Sequence, residues 1–127
     1  QVKQTDYNTL ILDAYNANPT SVEKALNDFS EIQVPGKKLA ILGDMLEVGD
    51  ESAEAHRAVI DFLASKEIPA ILVGPLYKAA VNDQPGFQSF EKVDDAKTYL
   101  DQNPIEDHYI LVKGSRGIQL EKLTNSL

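Results

Sequence analysis

The sequence predicts an α/β fold: a Rossmann-like, doubly wound, mostly parallel sheet with helices on both faces and an antiparallel N-terminal arm. Three observations predict it. Short apolar runs recur at Leu39-Ala40-Ile41-Leu42, Ala70-Ile71-Leu72-Val73 and Tyr109-Ile110-Leu111-Val112, and strands apolar throughout belong to a sheet covered on both sides. Segments with apolar residues at helical spacing lie between them. Gly or Pro follows most of these units, as turns require. The 127 residues, 43% hydrophobic and 25% charged, are read as a single domain with a core of its own.

Taken in order, Val2 to Thr5 and Thr9 to Asp13 are β-prone runs around Asp6-Tyr7-Asn8, which reads as a hairpin. Thr20-Ser21-Val22-Glu23 has the form of a capping box, and Val22, Ala25, Leu26 and Phe29 continue it as a helix closed by Pro35-Gly36. Asn18-Pro19 offers a second way to start the same helix, with proline at its first position. The run at 39–42 is a buried strand. Residues 51 to 66 form a helix with His56, Val59, Ile60 and Leu63 on one face. The run at 70–73 is a strand closed by Gly74-Pro75, and a short helix from Leu76 to Val81 follows. Phe87 to Phe90 is a weaker strand. Val93, Ala96 and Leu100 mark a helix ending before Pro104, and the strand at 109–112 precedes a final helix reaching Thr124.

Composition removes several functions. Twelve Lys+Arg against 20 Asp+Glu give a net charge of −8, the wrong sign for a nucleic-acid surface. No apolar run approaches the ~20 residues of a membrane span. With no cysteine, disulfides, thiolate metal sites and a cysteine nucleophile are excluded, and a reducing cytoplasm suits the chain. His56 and His108 match no metal spacing.

Ligands of open α/β sheets bind beyond the carboxyl ends of the strands. Three polar clusters directly follow strands there: Asp13-Ala14-Tyr15-Asn16-Ala17-Asn18-Pro19, Gly43-Asp44-Met45-Leu46-Glu47, and Lys113-Gly114-Ser115-Arg116. Each residue also has an ordinary reading. Asn18 reads equally as a helix cap, Asp13 as an acceptor of backbone N–H groups, Asp44 and Glu47 as loop acids, and His56 as a packed core histidine. Tyr77 and Tyr109 read as structural. Lys113-Gly114-Ser115 has the wrong order for a phosphate loop, and no G-x-G-x-x-G occurs.

Together the three clusters, with Val48-Gly49 and His56 completing the second, resemble the C-terminal domains of the Mur ligases. The resemblance covers nearly the whole chain and is greatest to the branch that joins D-alanyl-D-alanine to UDP-N-acetylmuramoyl-tripeptide. Leu12 departs from it, standing where many relatives carry a second aspartate, as does Val22 where methionine is frequent. The resemblance implies a cytoplasmic three-domain enzyme of peptidoglycan synthesis, with this chain as its third domain and as a fragment inactive alone. ATP and Mg2+ would be bound mainly by a central domain. No catalytic nucleophile and no metal ligand is expected here.

By the same resemblance, Asp13, Tyr15, Asn16 and Asn18 belong to the nucleotide side. Asp44, Glu47, His56, Lys113, Ser115 and Arg116 belong to the acceptor-substrate side, with loop ordering left open as their role. Arg116 suits a carboxylate, which it can grip with two parallel bonds, and the expected helix after it would add its N-terminal end. A phospho-acceptor receiver-like domain and a non-catalytic nucleotide-binding module are the alternatives. The first wants an acidic pair where Leu12-Asp13 stands, the second a glycine fingerprint that is missing.

Overall fold

The structure, a computed structural model, describes residues 1–13, 17–46 and 48–127. Its strands are β1 (Val2–Gln4), β2 (Thr9–Leu12), β3 (Lys37–Gly43), β4 (Ala70–Val73), β5 (Phe87–Phe90) and β6 (His108–Lys113). Its α-helices are α1 (Pro19–Glu31), α2 (Ser52–Ser65), α3 (Pro75–Val81) and α4 (Val93–Gln102). The strands make one sheet in the order β1-β2-β6-β3-β4-β5. Among the described residues only the β1–β2 pair is antiparallel, with Val2 opposite Ile11. β6, the last strand in the chain, lies between β2 and β3, pairing Leu12 with Val112 on one side and Leu42 with Lys113 on the other.

Alternation along the strands divides the core in two. Ala40, Leu42, Ala70, Leu72 and Leu111 pack with Val22, Leu26 and Phe29 of α1, Val59, Ile60 and Leu63 of α2, and Tyr77 of α3. Leu10, Ile41, Ile71, Ile110 and Val112 face the other way, onto Val93, Ala96 and Leu100 of α4 and Leu120, Leu123 and Leu127. Helices thus cover both faces, as the buried apolar runs require.

Three local expectations give way. The α1 capping box lies two residues earlier than Thr20-Ser21-Val22-Glu23: Asn18 Oδ1 accepts from Ser21 N–H at 2.9 Å and Asn18 N–H donates to Ser21 Oγ at 3.2 Å. Pro19, with φ fixed by its ring and no N–H to satisfy, then takes the first helical position. The final helix is not α-helical. It is a pair of 3-10 segments, Arg116–Ile118 and Leu120–Ser126, separated by Gln119 at φ 63°. That left-handed residue stops an i→i−4 ladder from running through, and Gly117 beside it favours no helix. A 3-10 turn at Gly49–Glu51 likewise precedes α2, so the second helix proper starts at Ser52.

Candidate functional site

The carboxyl ends of β2, β6 and β3 lie side by side, so the sequence clusters that follow them meet at one edge. Of the ten residues singled out, Tyr15, Asn16 and Glu47 lie outside the described residues. The other seven divide into those that reach the surface and those that build the edge.

Asp13 and Lys113 form an ion pair, Lys113 Nζ to Asp13 Oδ1 at 3.3 Å, with the lysine side chain 2% exposed and the aspartate 47%. Residue alternation produces the contact: Ile11 and Leu111 face the α1–α3 side, so the next odd-numbered residue on each strand points the same way. Asp13 N–H also donates to Val112 O at 3.1 Å, holding the carboxylate at the strand end. One residue expected on the nucleotide side and one expected on the acceptor side thus meet in this pair. Lys113 is also too deeply placed to grip an acceptor carboxylate at the surface. A buried ammonium stays charged only beside compensating groups, and Asp13 is one of them.

A cleft of about 350 Å³ opens beside the pair, lined by Asp13, Lys113, Ser115, Arg116, Leu12 and Leu120 among others. Arg116 is exposed. No α-helix N-terminus stands behind it, since a three-residue 3-10 segment follows Ser115, so the helix-end contribution expected there is absent. Gly114 is needed for proximity: a Cβ on it would stand 2.8 Å from Gly43 Cα and 2.9 Å from Gly43 N. The loops after β3 and β6 therefore run almost in contact.

Asp44 is fully buried. Its carboxylate accepts from Leu76 N–H at 2.8 Å and Tyr77 N–H at 2.9 Å, both in the first turn of α3. The residue before that helix, Gly74, has no side chain to cap it and sits at φ 123°, and any Cβ there would overlap the Asp44 carboxylate. The cap therefore comes from the neighbouring strand, with its charge at the positive end of the helix. Gly74-Pro75 was the signal for it: a helix start with no capping side chain needs an acceptor from elsewhere.

His56 is also fully buried. Met45 N–H donates to its Nε2 at 3.0 Å, while Nδ1 lies 2.7 Å from Ser52 O and 3.3 Å from Ser52 Oγ. These partners assign the neutral tautomer with the proton on Nδ1. The ring meets Tyr77 edge-on, centroids 4.5 Å apart. Burial, and after it the charge of Asp44, pushes the Tyr77 phenol well above its ordinary range. Its hydroxyl is buried with no hydrogen-bond partner among the described residues. Asp44 and His56 thus order the edge through these bonds. Asn18 is likewise committed, through Oδ1, to the start of α1. Ser115 receives Leu46 N–H on Oγ at 3.0 Å and donates its own N–H to Asp44 O at 3.2 Å. The sequence did not single out Leu46, which is 49% exposed beside these groups.

Against this geometry, a family model described as "Mur ligase, glutamate ligase domain" matches residues 1–116. The chain belongs to the Mur ligase family. A Treponema pallidum relative, UDP-N-acetylmuramoyl-tripeptide–D-alanyl-D-alanine ligase, is 35% identical over 122 residues, covering 91% of this chain and 26% of the relative. The Bacillus subtilis ligase of the same name is 32% identical over 129 residues, covering 94% of this chain and 28% of its own. The crystal structure of MurF from Acinetobacter baumannii superimposes over 100% of this chain and 29% of that one, with a TM-score of 0.84 at 27% identity. The chain thus spans between a quarter and three tenths of the length of these Mur ligases. Family membership sets aside the receiver-like and free-standing nucleotide-binding alternatives. No group of three His, Cys, Asp or Glu side chains able to hold a metal ion occurs among the described residues of this Mur ligase domain. No helix among the described residues is long and apolar enough to cross a membrane.

Proposed function

We propose that this chain is the C-terminal domain of a three-domain, ATP-dependent ligase of the cytoplasm that joins D-alanyl-D-alanine to UDP-N-acetylmuramoyl-tripeptide in peptidoglycan precursor synthesis. The observation that carries the reading is the meeting of the Asp13–Lys113 pair with the exposed Arg116 on one cleft. A half-exposed strand-end carboxylate suits ribose hydroxyls, and a cation on the same cleft suits an acceptor carboxylate. Both relatives described above bear the name of this ligase.

In this reaction the tripeptide carboxylate attacks the γ-phosphate of ATP and ADP leaves. The dipeptide amine then attacks the acyl phosphate carbonyl, inorganic phosphate leaves, and the amine proton passes to solvent or base. The described residues offer no nucleophile to this sequence. Their contribution is positioning and fixed charge. Asp13, half exposed, accepts from hydroxyls of the nucleotide, and Tyr15 and Asn16 are assigned to the nucleotide side with it. Arg116 holds the acceptor's far carboxylate and leaves the amine end free of a neighbouring cation. Glu47 is assigned to the acceptor side with it. Magnesium, which neutralises phosphate charge when bound, is assigned by the family resemblance to the central domain together with most ATP contacts.

The test is phosphate release by the full-length protein with ATP, UDP-N-acetylmuramoyl-tripeptide and each of several acceptors. Turnover that depends on D-alanyl-D-alanine, with none from this chain alone, is expected. Equal turnover with a single amino acid as acceptor, or ATP hydrolysis by the purified 127-residue chain, would overturn the reading.

A further inference from the structure

The β3–β6 ladder ends with Leu42 opposite Lys113, yet the two chains stay tied beyond it. Ser115 N–H donates to Asp44 O at 3.2 Å, and Leu46 N–H returns to Ser115 Oγ at 3.0 Å. From the other side, Met45 N–H donates to His56 Nε2 at 3.0 Å. Polar backbone groups of three successive residues without regular structure therefore have fixed partners on two other elements. Satisfaction alone does not explain this at Leu46, whose N–H lies at an exposed position where water would serve. Buried Met45 anchors the loop inward. The next side chain, Leu46, is turned outward, its Cδ1 3.1 Å from where a Cβ on Gly117 would stand. Gly117 directly follows Arg116, so the tied loop and the arginine share one rim.

We propose that Ser115 and His56 are positioning residues for acceptor binding: they hold the backbone of residues 44–46 against the loop that carries Arg116. The inference rests on the reading given under Proposed function. The rim then presents a guanidinium and a half-exposed leucine at fixed separation, suited to an acceptor with one carboxylate and small alkyl groups. A loop freed from these bonds must be ordered again whenever acceptor binds, and affinity falls by that amount. Nucleotide contact at Asp13, on the β2 side of β6, does not depend on the loop. The bonds therefore act on one substrate and not the other.

The experiment compares Ser115→Ala, Ser115→Thr and His56→Gln in the full-length protein. It measures Michaelis constants for D-alanyl-D-alanine and ATP, with amide exchange at Leu46 followed by mass spectrometry. Ser115→Ala is expected to raise the acceptor constant fivefold or more, leave that for ATP within twofold, and speed exchange at Leu46. Ser115→Thr, which keeps the hydroxyl, restores both readouts. His56→Gln, which can offer an oxygen near the Nε2 position, falls between. An unchanged acceptor constant in Ser115→Ala, or equal rises for both substrates, overturns the proposal. A raised acceptor constant with unaltered exchange also overturns it, because Ser115 would then touch the acceptor itself. Wild-type protein without dipeptide-dependent turnover removes the underlying ligase reading instead, a result distinct from all of these.

Discussion

Replacing Asp44 by alanine should be among the most damaging single changes in this domain. Its carboxylate receives two N–H bonds at 2.8 and 2.9 Å from the first turn of α3. Hydrogen bonds to a charged group contribute about 1.5–3 kcal/mol each, so the pair sets an upper range of roughly 3–6 kcal/mol. Leu76 is half-buried and its N–H can recover a water partner, but Tyr77 is fully buried and its N–H cannot. A loss of about 3–4 kcal/mol is therefore expected. For a domain of this size that corresponds to a melting temperature lower by roughly 10–20 °C. Asp44→Asn keeps one acceptor oxygen and turns an NH2 group toward the second N–H, so about 2–3 kcal/mol should go. Urea denaturation followed by circular dichroism, at constant slope, gives both numbers. An Asp44→Ala variant within about 0.5 kcal/mol of the parent would refute the cap, since that is the scatter of ordinary surface changes.

Five more outcomes can be checked. Gly114→Ala should destabilise by about 1–3 kcal/mol, because the new Cβ meets Gly43 backbone atoms at 2.8 and 2.9 Å; an unchanged denaturation midpoint would show that the strands can part. Tyr77→Phe removes a buried hydroxyl without a partner among the described residues and should be neutral or stabilising by up to about 1 kcal/mol. The same residue predicts a pH effect. Its folded pKa is raised from 10.0, so the unfolded chain loses its proton first, and stability should decline as pH rises above 10.0 in the parent and less steeply in Tyr77→Phe. Asp13→Asn weakens the compensation of a lysine that is 2% exposed, and a loss of about 1–3 kcal/mol is expected, discounted for the half-exposed aspartate; no change in urea midpoint would assign Lys113 to its other neighbours. Arg116→Lys in the full-length protein should raise the Michaelis constant for D-alanyl-D-alanine about tenfold, roughly 1.4 kcal/mol, with that for ATP nearly fixed; an effect on ATP alone would contradict the acceptor role.

Much of the architecture was legible because burial on both faces leaves a direct mark. The runs at 39–42, 70–73 and 109–112 lie within β3, β4 and β6, and His56, Val59, Ile60 and Leu63 are buried along α2. The start of α1 was ambiguous because Asn18-Pro19 and Thr20 to Glu23 both carry capping chemistry, and only the backbone around Asn18, extended at φ −130°, decides between them. The final segment misled because its leucines fit a helical spacing that Gln119 interrupts. The site was legible as an edge but not as a network. Asp44 finds its partners 32 and 33 residues away, and Ser115 finds Leu46 at a separation of 69. Such pairs depend on strand order, which local spacing does not encode. Lys113 shows the same limit: a lysine after an apolar run reads as a surface cation, whereas its place between two neighbouring strands buries it.

The insertion of β6 between β2 and β3 has a consequence for how the chain comes to be folded. Until residue 108 has been made, β2 and β3 have no partner at the edges that β6 will fill. Each then presents a row of open peptide groups flanked by apolar side chains, the arrangement that invites pairing between molecules. The contacts that close the sheet join residues 100 positions apart between β2 and β6 and 71 apart between β3 and β6, and such closures are slow. Asn8 adds to the same late step, donating to Ile105 O and Leu127 O and accepting from His108 N–H. Removing the last twenty residues therefore does not trim a peripheral piece. It splits the sheet along its middle and leaves two sticky half-sheets, a state in which self-association outruns folding.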